Sequence, residues 1–257
     1  MRKVKSAVQW LLEQSTIGYL IFFRLKGYRG PSGIPEAPWH NAVLKSRDQV
    51  TQALEQVARL GLPEMGDPPK NWDSLAALDC IVRSTTRDAC ILDGGTELYS
   101  RILPWLTLYG YRKLHGINLV FDRKIKRGPI TYQYGDITHT DYAGETFDAI
   151  TCLSVIEHGV NLEDYLKEML RILKPGGLLL TSTDFWQTPI DTQGREAFGV
   201  PVHIFTKDEI LDAIDLAERI GFIKTGTIDF ASGEKVIHWN EIDLDYTFLV
   251  FTLRKPS

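Results

Sequence analysis

Chemistry in this chain starts at Asp93-Gly94-Gly95, which closes the apolar run Ala89-Cys-Ile-Leu. A short apolar run broken by Asp-Gly-Gly predicts a buried parallel strand entering a tight turn. Glycine suits that turn because the backbone must take a positive φ or approach a ligand closely. In an open α/β sheet, the carboxyl end of the first strand is where a nucleotide-like ligand binds. A second group is Glu157-His158, at the end of the run Phe147-Asp-Ala-Ile-Thr-Cys-Leu-Ser-Val-Ile. Histidine titrates near neutrality and so can exchange a proton with a reacting hydroxyl. A third is the connection of about twenty residues that starts at Thr183 and carries Asp184, Trp186, Asp191 and, at its end, His203. Long connections in compact domains are often functional lids. This mixture of aromatic and polar side chains suits a carbohydrate or another polar small molecule.

These groups need a scaffold, and from Ala89 onward the pattern alternates strand and helix, the mark of a parallel sheet with crossovers. Strands are expected at Ala89 to Asp93, Lys113 to Val120, Thr131 to Tyr134, Phe147 to Leu153 and Leu178 to Ser182. The first is followed by a helix to about Tyr109, closed by Gly110. Only about ten residues separate the second and third strands, so the helix between them should be vestigial. Asn161 to Leu173 reads as an amphipathic helix ended by Lys174-Pro-Gly-Gly177. Thr206 and Glu209 are spaced as a capping box for a helix to Ile220. Two last strands, Phe222 to Phe230 and Tyr246 to Leu253, complete the pattern. Before Ala89, helices are expected near Ile17–Phe23, from Asp48 to Leu60 and from Asn71 to Ser84, joined by Gly/Pro-rich connectors. Residues 1–88 thus read as a helical cap, without identifiable chemistry, on a domain spanning 89–257.

Composition sets further bounds. At 257 residues and 44% hydrophobic content the chain can bury one substantial core. A net charge of −4 leaves no general basic surface for nucleic acid. Cys80, Cys90 and Cys152 lack metal-type spacing and fit a reducing, cytoplasmic setting. Residues 1–29 are uneven: Arg2, Lys3, Lys5, Arg24, Lys26 and Arg29 face only one acid, Glu13. Basic residues around an apolar helix can mean peripheral contact with an anionic membrane; the alternative is a helix packed on the main domain with solvated basic ends.

The strand Phe147-Asp-Ala-Ile, the Ile156-Glu-His158 step, the turn Leu173-Lys-Pro-Gly-Gly177 and the segment His203-Ile-Phe-Thr206 occur in the order found in one family. The chain resembles the class I S-adenosylmethionine-dependent methyltransferases, particularly the branch acting on small molecules. The resemblance runs from Ala89 to about Leu253. It implies a Rossmann-like α/β fold with a seven-stranded, mostly parallel sheet whose last strand is antiparallel. It also implies that S-adenosylmethionine is the cofactor. Asp93, Gly94 and Gly95 would contact its amino-acid part, a carboxylate suiting the ammonium. Asn118, or Asp122 if the strand runs longer, would meet the ribose hydroxyls. Asp136 would accept the adenine amine, Ile137 would cover the ring, and Leu153 would border the methionine. The family usually carries Gly-x-Gly-x-Gly, whereas Glu97 and Tyr99 stand at the second and third glycines here. His158 and His203 compete as the base. Ser154 occupies the position where metal-bearing relatives can have another acid, so no metal is expected.

The expected activity is methyl transfer to a small polar acceptor, with a sugar or glycan-precursor hydroxyl as first choice. The altered glycines and Asn118 keep a non-catalytic binding or scaffold subunit as the alternative. A nicotinamide-dependent oxidoreductase fits less well, since Gly-x-Gly-x-x-Gly is missing.

Overall fold

In the computed structural model, residues 7–197, 199–231 and 233–257 are described. The basic residues Arg2, Lys3 and Lys5 lie outside them. The N-terminal part holds α1 (Ala7–Glu13), α2 (Thr16–Leu25), β1 (Ala42–Val43), α3 (Arg47–Arg59) and α4 (Lys70–Ser84). There follow β2 (Cys90–Gly94), α5 (Ile102–Leu108), β3 (Lys113–Asn118), β4 (Ile125–Arg127), β5 (Ile130–Tyr134), β6 (Phe147–Leu153), α6 (Leu162–Ile172) and β7 (Leu173–Phe185). The last part contains β8 (Glu196–Ala197), β9 (Val200–Pro201), α7 (Lys207–Ile220), β10 (Ile223–Lys224), β11 (Ile237–Trp239) and β12 (Leu244–Arg254).

Five strands, in the order β5-β3-β2-β6-β7, run parallel. Their near-continuous apolar sequences follow from burial on both faces. β12 pairs antiparallel with β7 over Thr247–Arg254, as expected for the last strand. The order of strands reverses at β2, which has β3 on one side and β6 on the other. Such a switch point opens a crevice at the carboxyl ends of the strands. Asp93, Leu153 and Asp184 all stand at those ends.

Four expectations are corrected. The connection between β3 and β5 holds no helix: β4 folds back antiparallel on β5, with Arg127 opposite Ile130. Gly128-Pro129 makes the two-residue loop, and Gly128 takes φ +58, the conformation that lets such a loop follow the strand twist. α1 and α2 dock there, through the Gly128 N–H to Glu13 carbonyl bond of 2.7 Å and the Tyr19 ring beside Gly128. β7 begins at Leu173, five residues early, because the Lys174-Pro-Gly-Gly turn stays paired with β6 through a register shift between Phe147 and Ala149. Within Phe222 to Phe230 only Ile223–Lys224 is a strand; β1, β10 and β11 share the flank of β12 that a long sixth strand would cover. The sheet therefore has ten strands among the described residues, several very short, instead of seven.

The N-terminal helices share a core with the sheet. Tyr19, Phe23, Trp72 and Leu75 belong to the same buried cluster as Ile91, Leu114 and Tyr132. α4 is buried nearly all round, from Asn71 to Ile81. A helix enclosed in this way must find partners for its polar side chains inside the protein.

Candidate functional site

Asp93 ends β2 and is 3% exposed. Its carboxylate accepts a 2.6 Å hydrogen bond from the Thr151 hydroxyl on neighbouring β6. Burial pushes its pKa up to about 6, and the nearby Asp73 carboxylate adds to the rise while the Thr151 and Thr96 hydroxyls oppose it. The turn that follows needs glycine. Gly95 sits at φ +75, and a Cβ there would lie 2.3 Å from Val155 Cγ2.

Asn118 ties this turn down. Its amide donates to the carbonyls of Gly95 at 2.8 Å and Thr96 at 3.1 Å, and its oxygen accepts from the Val120 N–H. A cavity of about 120 Å³ opens beside the turn, lined by Asp93, Gly94, Gly95, Glu97, Arg101 and Leu153 among others. Asn118, Asp136 and Ile137 do not line it. The Asp136 carboxylate accepts from the N–H and hydroxyl of Thr138, closing its own turn. Ile137 packs against Gly94, where a Cβ would stand 3.0 Å from its Cγ2. Two further carboxylates join Asp93 in the cavity, Asp73 and Glu97, of which Glu97 is half-buried and raised in pKa by that burial.

A second cavity of about 540 Å³ adjoins the first through Lys70, Tyr99 and Ser154, which line both. It is walled by Glu157, His158, Asp184, His238, Trp239 and Tyr246. Glu157 and Asp184 are 2% and 3% exposed and hydrogen-bond to each other. Glu157 also accepts from the Thr183 hydroxyl at 3.1 Å, and Asp184 is bonded to Tyr246. Burial, with mutual repulsion on Glu157, raises both carboxyls, and the Lys70 ammonium pulls both back. Two close buried carboxyls cannot easily ionise together, so the pair retains a proton. Burial and the Lys70 charge drive the His158 pKa down to about 4, leaving a neutral imidazole.

His203 is elsewhere. It lines a third cavity, between the 159–162 segment and α7, with Nε2 3.2 Å from Glu209 and its ring edge-on to Phe205. Glu209 in turn completes the capping box with Thr206. The site thus brings together Asp93, Gly94, Gly95, Leu153 and His158, and leaves His203 outside.

Sequence reasoning missed Lys70 and Asp73, both supplied by α4. Asp73 is fully buried, lines the smaller cavity and accepts from the Ser182 hydroxyl at 2.7 Å. The Ser182 oxygen accepts in turn from the Ser154 N–H at 3.0 Å. The available signal was a pair of polar residues, Asp73-Ser74, inside the otherwise apolar stretch from Trp72 to Leu78.

A family model described as a methyltransferase domain matches residues 99–181. No curated protein matches the chain significantly. Solved structures do. An S-adenosylmethionine-dependent methyltransferase from Mesorhizobium loti superposes with a TM-score of 0.50 at 18% identity, over 72% of this chain and 98% of that one. The 1,6-didemethyltoxoflavin-N1-methyltransferase of Burkholderia thailandensis, solved with 1,6-didemethyltoxoflavin and S-adenosylhomocysteine, gives 0.51 at 18% identity, over 88% and 94%. A geranyl diphosphate methyltransferase in complex with S-adenosylmethionine gives 0.51 at 13% identity, over 88% and 97%. Sheet order and the antiparallel last strand give this chain the Rossmann-like fold of the S-adenosylmethionine-dependent methyltransferases on which it superposes, and the segment matched by the methyltransferase-domain model lies within that fold.

Proposed function

We propose that the chain transfers a methyl group from S-adenosylmethionine to a hydroxyl of a small polar molecule, with a sugar or glycan precursor as the acceptor class. The carrying observation is the pair of adjoining cavities, one with Asp93 at a glycine turn, the other floored by Glu157 and Asp184. The residues present fit the cofactor. Asp93 is a buried carboxylate held above its ordinary pKa, so a neighbouring ammonium would relieve its desolvation. Glu97 offers the ribose hydroxyls the acceptor that Asn118, engaged with the turn, does not. When bound, the cofactor supplies an electrophilic methyl group on a sulfonium.

The chain's residues do the rest. An acceptor hydroxyl in the larger cavity would hydrogen-bond to the Glu157–Asp184 pair. The ionised carboxylate of that pair would take up the hydroxyl proton as the acceptor oxygen is methylated. A group titrating near working pH serves best as a general base, and these carboxyls are raised in that direction whereas His158 is lowered away from it. Trp239 and Tyr246 give the cavity the aromatic walls a sugar ring favours. The three cysteines, all free, suit a reducing compartment, which supports a cytoplasmic location.

Calorimetric titration with S-adenosylmethionine and S-adenosylhomocysteine tests the reading. Binding of both, lost in Asp93→Ala, supports it; radiolabelled methyl transfer to sugar hydroxyls then tests the acceptor class. A folded protein that binds neither would instead be the non-catalytic scaffold, for which Glu97 and Tyr99, lining the smaller cavity in place of the usual second and third glycines, are the favouring observation.

A further inference from the structure

The N-terminal hairpin α1–α2 turns an apolar face outward. Val8, Trp10, Leu11, Ile17, Ile21 and Leu25 are 42–74% exposed. On α2, Ile17, Ile21 and Leu25 follow one another at i, i+4 spacing and so form a single stripe. The opposite side of α2 is committed to the core through Tyr19 and Phe23. Monomeric proteins rarely leave so continuous a large-residue patch in water without a use for it.

The charges around this face have one sign. Arg24, Lys26 and Arg29 are exposed on and just after α2. Glu13, the one acid of this stretch, is turned inward, 4% exposed and paired with Arg127. The β4–β5 hairpin on which α1 and α2 dock adds exposed Arg123, Lys124 and Lys126 against one exposed acid, Asp122. Positive charge gathers here on a chain whose net charge is −4. The hairpin is held in register by the Gly128 to Glu13 bond and by Tyr19 against Gly128. Among the described residues no helix is long and apolar enough to cross a membrane.

We infer that this face is a peripheral docking surface for an anionic lipid bilayer. The apolar stripe enters the boundary between headgroups and acyl chains, Trp10 sits at the interface, and the basic side chains meet the lipid phosphates. A second protein copy would bring like charges together around the same face and is disfavoured by them. The inference is independent of the catalytic reading.

The test is co-sedimentation of the full chain with phosphatidylglycerol–phosphatidylcholine vesicles and with pure phosphatidylcholine vesicles. Binding to the anionic vesicles, weakened by salt and at least about tenfold weaker on neutral ones, is expected. Ile17→Ser with Leu25→Ser should lower anionic binding by about tenfold or more, and Lys26→Glu with Arg29→Glu should do likewise. All four side chains are exposed, so melting temperatures should stay unchanged. Absence of binding to anionic vesicles by the unaltered protein overturns the inference. So does undiminished binding by both variants, or a concentration-dependent dimer that the serine variant abolishes.

Discussion

The Asp73 carboxylate on α4 accepts a 2.7 Å hydrogen bond from the Ser182 hydroxyl on β7, which itself receives the Ser154 N–H. This relay joins the N-terminal helices to the carboxyl ends of two central strands, at a residue lining both cavities. Asp73→Ala leaves the Ser182 hydroxyl without its acceptor in a dry setting. It should cost about 1–3 kcal/mol of stability, with Asp73→Asn recovering most of it, as read by urea unfolding.

Cofactor affinity should depend on the ionisation of Asp93. An ammonium is bound best by the carboxylate, and the pKa is raised to about 6. Affinity should therefore rise as pH increases through about 6, by up to about tenfold per unit below it, and flatten above. The folding sign is opposite. With the folded pKa above its ordinary 3.8, the folded chain holds this proton more tightly. Its stabilising contribution is present below about pH 4 and lost as pH passes about 6. Calorimetry of Asp93→Asn, which cannot titrate, should show a weak affinity without this step.

Turnover should separate the candidate bases. Asp184→Asn and Glu157→Gln are expected to keep cofactor affinity while lowering kcat by about 10²–10⁴-fold. His158→Ala should spare cofactor binding and reduce turnover less. His203→Ala should leave kcat within about twofold, because its imidazole faces Glu209 in a different cavity. A large loss in His203→Ala with normal Asp184→Asn turnover would reverse the assignment.

Gly95→Ala combines a left-handed φ of +75 with a 2.3 Å approach to Val155. It should destabilise the chain by about 1–3 kcal/mol and weaken cofactor binding, measured by thermal melting with and without S-adenosylmethionine. Gly66→Ala, where a Cβ meets nothing, is the control.

The central strands were legible because burial on both faces leaves an unmistakable apolar run, as in Phe147–Leu153. The capping box of Thr206 and Glu209 was legible from spacing alone. The β4 hairpin was not, since Lys124 to Arg127 is a short, largely polar stretch and only Gly128-Pro129 hinted at a loop. The larger cavity was hidden for another reason. Lys70, Asp184 and Tyr246 lie far apart in the chain, and only the packing of α4 across the ends of β6, β7 and β12 brings them together. Asn118 shows the converse case, a residue at the expected strand end whose side chain is spent on the turn beside it.

One consequence lies in the order in which the chain can complete itself. Ala42 and Val43 pair with Val250 and Leu249, and Thr252 reaches back to the His40 carbonyl and the Asn41 side chain. A chain emerging from the ribosome displays that early strand long before its partner exists. The segment from His40 to Val43 must therefore wait for these partners until the stretch from Leu249 to Thr252 arrives. Contacts of such sequence separation form slowly. Loss of the final strand would strip cover from segments at the opposite end of the chain, exposing apolar surface that favours aggregation over a smaller native fold.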